Sequence, residues 1–375
     1  YLITKYDTML INGKHWKTIW LNEDSFSVGV IDQTKLPHSL EIINLKTYLE
    51  VFDAIKHMVV RGAPLIGVSG AYGFALGVKN DPSDAALEEY FKTLNSARPT
   101  AVNLHWALKR IYKKTKKAKL NSRFMVAIDE ANLIAEEDIE MCSSIGDHGV
   151  SLIDKIAKNK KSINNSNNLL NILTHCNAGW LATIDWGTAL SPIYKAYRQG
   201  INLHVWVDET RPRNQGSSLT AFELKGEEIP HTVIVDNAGG YLMQNNQVDL
   251  VIVGSDRTTK SGDVCNKIGT YLKALAAKDC GIPFFVALPF STIDWNISDG
   301  LNEINIENRG SSEVEKISGI NNEGLMDTVK LIPEGTKCFN PSFDVTPASL
   351  VTALITDKGV AEPNYKSLKS LYNQN

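Results

Sequence analysis

The chain has 375 residues, 43% of them apolar and 22% charged, with a formal net charge of −3 at pH 7. That is enough for two domains and a substantial core, and it offers little to nucleic acid or an anionic membrane surface. No apolar stretch approaches the ~20 residues of a membrane span, and the opening YLITKYDTML lacks the apolar block of a signal peptide.

In the first third, WKTIWL and FSVGVID read as short strands. From Ser39 to Val60 apolar residues recur at helical spacing, which predicts one helix. A turn at Arg61-Gly62-Ala63-Pro64 leads into LIGVSGAYGFALGV, a small-residue segment suited to a closely packed helix, and two further helices are expected at 103–111 and 124–141. The lysines at 113, 114, 116, 117 and 119 read as a solvated helix face or the start of a linker. Residues 155–169, rich in Lys, Asn and Ser, read as a surface loop at a domain boundary, dividing the chain into 1–150 and 151–375.

Beyond it the pattern changes to apolar runs at NILTH (171–175), LHVWV (203–207), TVIV (232–235), DLVIV (249–253) and PFFVAL (283–288), with helices expected at 187–198, 216–224, 239–245 and 264–279. Near-continuous apolar strands alternating with helices imply a parallel sheet covered on both faces. The predicted fold class is therefore α/β: an N-terminal, mainly helical domain with a few short strands, then a Rossmann-like, doubly wound parallel-sheet domain. Ligands of such sheets bind beyond the carboxyl ends of the strands. No GxGxxG follows the first strand, so a dinucleotide is not expected.

The residues after each strand are then the candidates. Cys176 precedes a tight Asn177-Ala178-Gly179 turn, where N–H groups favour a thiolate; an inert buried cysteine is the equal alternative. His175 points to the opposite face and reads as a structural histidine. Asp256, after DLVIV, has the position of a partly desolvated acid or base, against an N-cap or a salt bridge to Arg257. Asn266 and Lys267 read as opening a helix that would favour a phosphate dianion, against solvated side chains. Arg61 and Gly62 form a weak clamp signal, and Arg98 alone is more often surface than ligand. The dense charge of 208–213 suits either sugar hydroxyls or an ion-pair network. Trp106, Trp180, Trp186 and Trp206 read as core. The five cysteines, Cys142, Cys176, Cys265, Cys280 and Cys338, are odd in number and include no CxxC pair, which fits a reducing cytoplasm.

Together the blocks RGAPLIGVSGAYG (61–73), ARPTAVNLHWAL (97–108), ILTHCNAGWLAT (172–183), VWVDETRPRNQGSSLTAFEL (205–224), VDLVIVGSDRTTKSGDVCNKIGTY (248–271), GIPFFVALPFSTID (281–294) and NPSFDVTPASLVTALITDKGV (340–360) resemble the methylthioribose-1-phosphate isomerases. That family is related to the regulatory subunits of translation initiation factor 2B and to ribose-1,5-bisphosphate isomerases. The resemblance implies an aldose–ketose isomerase of methionine salvage that acts on a small sugar phosphate, usually as a homodimer, without metal or organic cofactor. It places Cys176 and Asp256 on the catalytic positions, and Arg61, Gly62, Ala63, Arg98, Gln215, Asn266 and Lys267 on substrate-binding ones. Ser255 and Cys265 stand where alanine is expected, and IENRGSSEV (306–314) replaces a more acidic segment. The rival readings are a ribose-1,5-bisphosphate isomerase, a non-catalytic regulatory subunit, and a cysteine hydrolase, for which no activating histidine is evident.

Overall fold

The computed structural model describes residues 9–11, 13–24, 26–99, 101–163 and 168–373. Most of the opening segment read for a leader, and residues 164–167 of the expected linker, lie outside them.

After a short antiparallel pairing of Leu10–Ile11 with Lys14–His15, the first half carries a three-stranded antiparallel sheet: β1 (Ile19–Leu21), β2 (Val28–Ile31) and β3 (Ile42–Leu45). The single helix expected over 39–60 is therefore corrected. Ile42–Leu45 is extended because it pairs along β2, and the helix α1 (Tyr48–Lys56) begins only at the capping box of Thr47 and Glu50. Helices α2 (Ala63–Asn80), α3 (Asp84–Ser96), α4 (Val102–Lys117) and α5 (Arg123–Ile163) follow.

The small-residue helix α2 is buried from Leu65 to Val78. A side chain at Gly70 would stand 2.4 Å from Leu104 Cδ1, and one at Gly77 would stand 2.8 Å from the Tyr90 ring. Glycine thus lets α4 and α3 close on α2 and share one core with β2. The expected lysine face is solvated: Lys113, Lys114, Lys116, Lys117 and Lys119 are all exposed. Helix α5 runs unbroken through positions 150 and 155–163, so the suggested boundary falls inside a helix and the loop does not begin at 155. No helix of the described residues is long and apolar enough to cross a membrane.

The second half carries β4 (Leu170–Thr174), α6 (Leu190–Arg198), β5 (Leu203–Asp208), α7 (Ala221–Gly226), β6 (His231–Ile234), α8 (Ala238–Gln244) and β7 (Leu250–Val253). Next come β8 (Arg257–Thr259), β9 (Val264–Lys267), α9 (Thr270–Asp279), β10 (Phe284–Ala287) and β11 (Ile293–Asp294). A hairpin, β12 (Lys316–Ile320) and β13 (Met326–Lys330), precedes β14 (Phe343–Thr346), β15 (Ala353–Thr356) and β16 (Gly359–Ala361).

Seven strands form one sheet in the order β16-β15-β10-β7-β4-β5-β6, parallel except for β16 at its edge. All four residues of β7 and of β10 are buried, as strands covered on both faces require. The strand order reverses between β4 and β7, so the crevice of a doubly wound sheet opens beyond their carboxyl ends. Cys176 follows β4 and Asp256 follows β7. A second, four-stranded sheet, β11-β8-β9-β14, continues from that crevice.

Candidate active site

Cys176 stands two residues past β4 with a φ of 65°, a left-handed conformation rare for a side-chain-bearing residue and worth about 1–3 kcal/mol of strain. Two threonines hold it there. The Cys176 N–H donates to Thr210 Oγ1 (2.8 Å), and Thr220 Oγ1 donates to the Cys176 carbonyl (2.7 Å). The thiol is 7% exposed. Burial pushes its pKa up, while Arg61 and Lys267 pull it back down.

Asp256 is partly buried, and its N–H is tied to the Cys265 carbonyl at 3.0 Å. It caps no helix, because it leads into β8, and Arg257 pairs with Asp294 (3.2 Å). Burial holds the Asp256 carboxyl above the ordinary range, opposed by Lys267, Arg61 and Arg98. It holds a proton more readily than an exposed aspartate does.

Lys267 and Asn266 do not open a helix. They end β9, and α9 starts only at Thr270 behind Gly269. Antiparallel pairing with β14 keeps the VCNK segment extended. Lys267 is buried, donates to the Ser342 carbonyl (2.9 Å) and lies 4.7 Å from the centre of the Phe343 ring. Burial lowers its pKa, while Cys176 and Asp256 favour the charged form. Asn266 is also buried, its amide donating to Thr270 Oγ1 at 3.0 Å.

The first half contributes two arginines. Arg61 grips the Cys176 turn, donating to Asn177 Oδ1 (2.6 Å) and to the Asn177 carbonyl (3.0 Å). Gly62 has a φ of 99°, and a side chain there would stand 2.3 Å from the Ala182 carbonyl oxygen, so only glycine lets the Arg61 loop meet the second half. Arg98 lies 3.6 Å from Glu307 and within electrostatic reach of Asp256 and Arg61.

Two cavities open at this junction. One of about 40 Å³ is lined by Ala63, Arg98, Asp256 and Cys265. The other, about 370 Å³, is lined by Arg61, Gln215, Met58, Leu219 and the β12–β13 hairpin. Gln215 is buried, and its amide oxygen has no partner among the described residues, leaving it an acceptor for a ligand hydroxyl. Gly62, Cys176, Asn266 and Lys267 line neither cavity. Arg61, Arg98, Cys176, Asp256 and Lys267 nevertheless form one electrostatic cluster.

His175 is the structural histidine its position predicts: its ring nitrogens meet Asp208 and the Ile268 carbonyl, each at 2.8 Å. It is not free to activate Cys176. The charges of 208–213 form an ion-pair and hydrogen-bond network, and Arg211 and Arg213 also line the larger cavity. Asp208 is held by His175 and Lys273 (3.2 Å), Arg211 donates to the Glu313 and Val314 carbonyls, and Arg213 pairs with Glu313. His175, Asp208 and Asp236 bring ligand-type atoms within 4.8 Å of one another, but the Lys273 ammonium sits against Asp208 and supplies the compensating charge. Trp180 is fully buried in the core, as expected. Sequence reasoning missed the partners Thr210, Thr220 and Glu223; only their presence in the long matched block marked them.

An α/β chain with a thiol, a carboxyl and cations at the switch point of a parallel sheet has the architecture of the doubly wound proteins, whose ligands bind beyond strand ends. Residues 59–363 match the model of the initiation factor 2 subunit family, and the chain belongs to that family. It is 55% identical to the methylthioribose-1-phosphate isomerase of Methylocella silvestris, over 98% of this chain and 99% of that one. Its fold is similar to the crystal structure of 5-methylthioribose 1-phosphate isomerase from Pyrococcus horikoshii (TM-score 0.81, 37% identity, 96% of this chain and 97% of that one). It is also similar to that of translation initiation factor eIF-2B, subunit delta, from A. fulgidus (TM-score 0.76, 37% identity, 95% and 99%).

Proposed function

We propose that this chain isomerises 5-methylthioribose 1-phosphate to 5-methylthioribulose 1-phosphate, with Asp256 as acid and Cys176 as base. The observation that carries the reading is the meeting of these two groups with Lys267, Arg61 and Arg98 in one electrostatic cluster at the switch point, in a chain so similar along its length to isomerases of this name.

The substrate dictates what is needed. Phosphate on the anomeric oxygen blocks the ring opening open to a free sugar, so the ring oxygen must be protonated. Asp256, whose burial raises its proton affinity, is the group we assign to supply it. Hydrogen must then move from C2 to C1 with the phosphate still attached. Cys176, whose thiol burial makes less acidic than usual against the pull of Arg61 and Lys267, takes the C2 proton as its thiolate or guides a hydride. Lys267, Arg61 and Arg98 hold the phosphate dianion, Gln215 and Asn266 the sugar hydroxyls, and Gly62 and Ala63 the close backbone approach. The two-part division at 150/151 serves this reading as two walls of a single crevice, joined by α5.

Assaying the pure protein on methylthioribose 1-phosphate, 5-deoxyribose 1-phosphate and ribose 1,5-bisphosphate tests it. Turnover of the first is expected to be fastest. Inactivity on all three sinks the reading, and preference for the bisphosphate replaces it with the sister activity. Running the reaction in D2O separates the routes: deuterium at C1 marks an enediol, and its absence a hydride shift.

The protein acts in the cytoplasm as a homodimer on this reading. Tyr241 on α8 and Tyr271, Leu272 and Leu275 on α9 are exposed on two helices in contact and supply an apolar surface for a second copy. Light scattering of wild type and of Leu272→Glu tests the dimer: a monomeric wild type contradicts it.

A further inference from the structure

Glu223 is a buried carboxyl, 1% exposed, on the short helix α7, and both of its oxygens are occupied. Oε1 accepts from Asn177 Nδ2 and the Leu181 N–H, both at 2.9 Å. Oε2 accepts from the Trp180 N–H (3.1 Å) and the Tyr194 hydroxyl. A side chain at residue 179 would stand 1.6 Å from Oε2, so the turn at Gly179 closes directly onto this carboxylate.

The bond to Asn177 has a consequence at the far end of that amide. Burial raises the Glu223 pKa to about 7; at pH 8 its main form is the carboxylate, which only accepts, so Oε1 admits the NH2 end of Asn177 and rejects the carbonyl end. Thr220 Oγ1 takes the same NH2 group at 3.2 Å. Asn177 Oδ1 is therefore turned outward, where Arg61 Nη1 donates to it at 2.6 Å while Nη2 donates to the Asn177 carbonyl at 3.0 Å. If the amide flipped, an NH2 group would face a guanidinium and the fork would lose one of its two fixed bonds.

We propose that Glu223 is a positioning residue: by fixing the orientation of the Asn177 amide it locks the Arg61 guanidinium beside Cys176. The inference rests on the isomerase reading only for its effect on turnover. Arg61 is the strongest of the charges that make the Cys176 thiol more acidic, so a displaced Arg61 leaves a less reactive thiol even without substrate. A purely structural Glu223, serving only the N–H groups of Trp180 and Leu181, would change folding stability but not this coupling.

The experiment follows iodoacetamide alkylation of Cys176 at pH 8 by peptide mass spectrometry, with the partly exposed Cys280 as internal control. Glu223→Gln is expected to slow Cys176 by about three- to tenfold, a shift of half to one pKa unit, with Cys280 unchanged. In an Arg61→Gln background, adding Glu223→Gln should change the rate by less than about twofold, because the two act as one unit. Asn177→Ala, which leaves the backbone bonds to Glu223 in place, should slow Cys176 as much as Glu223→Gln does. It serves as the test variant if Glu223→Gln fails to fold. Equal slowing by Glu223→Gln with and without Arg61, or a normal rate in Asn177→Ala, overturns the proposal. In turnover, Glu223→Gln should raise KM by about tenfold, as for loss of a charge-assisted hydrogen bond to phosphate. An inactive wild type sinks the isomerase reading, whereas an active wild type with unaltered thiol rates sinks this inference alone.

Discussion

The two walls of the crevice are built differently. On the sheet side, Cys176, Asp256 and Lys267 stand at or just past strand ends, and burial displaces the proton affinity of each. On the helical side, Arg61 and Arg98 lie in the segments leading into α2 and α4, and each pairs with the second half, Arg61 with Asn177 and Arg98 with Glu307. The contrast teaches a division of labour. On the proposed function, the parallel sheet supplies desolvated groups whose protons move, and the helical half supplies permanent charge.

That contrast can be broken from either side. Cys176→Ser and Asp256→Asn, which remove groups on the sheet wall, should each cut kcat by at least about 10²-fold, with unfolding curves unchanged. A variant turning over normally would remove that residue from the chemistry. Arg61→Ala or Arg98→Ala, on the helical wall, should chiefly raise KM, by about 10- to 100-fold for one charge-assisted contact to phosphate. A fall in kcat alone would erase the proposed difference between the walls.

Lys267 sharpens it through pH. Its positive charge makes the Cys176 thiol more acidic, so Lys267→Met should move the alkylation midpoint of Cys176 to higher pH. Because burial lowers the Lys267 pKa, its charge is lost at lower pH than that of an exposed lysine. KM of the wild type should therefore rise on the alkaline side, and an unchanged thiol midpoint in Lys267→Met would detach this lysine from the site. The smallest effect on activity belongs to His175→Asn. It should cost about 1–3 kcal/mol of stability through the broken bonds to Asp208 and Ile268, read as a lowered Tm, with kcat nearly intact. A collapse of kcat with unchanged Tm would return His175 to the chemistry.

The central strands were legible because a strand covered on both faces must be apolar throughout: LVIV and FFVA have few other uses. That pattern also located Cys176 and Asp256, since crevice residues follow strand ends. Ile42–Leu45 was misread because two adjacent isoleucines and a leucine satisfy helical spacing as well as strand propensity, and only pairing with β2 decides. The strand of Asn266 and Lys267 was hidden for a related reason: VCNK is short, and its partner β14 lies some eighty residues away. Helix α5 outran its predicted end at 141 because Ser143, Ser144, Gly146 and Gly149 read as helix breakers, whereas Gly146 and Gly149 admit Ser191 and Pro192 of α6, and the lysines and asparagines of its last turns look like a loop. Glu223 gave no signal of its own, for an acidic residue on a short helix reads as solvated until Asn177, Trp180, Leu181 and Tyr194 are seen around it.

The most direct test is a crystal structure of the Asp256→Asn protein with methylthioribose 1-phosphate bound. The account predicts the phosphate among Lys267, Arg61 and Arg98, the Cys176 sulfur facing C2, and the residue 256 side chain at the ring oxygen. A sugar seated elsewhere, or a sulfur shielded from it by the protein, would contradict it.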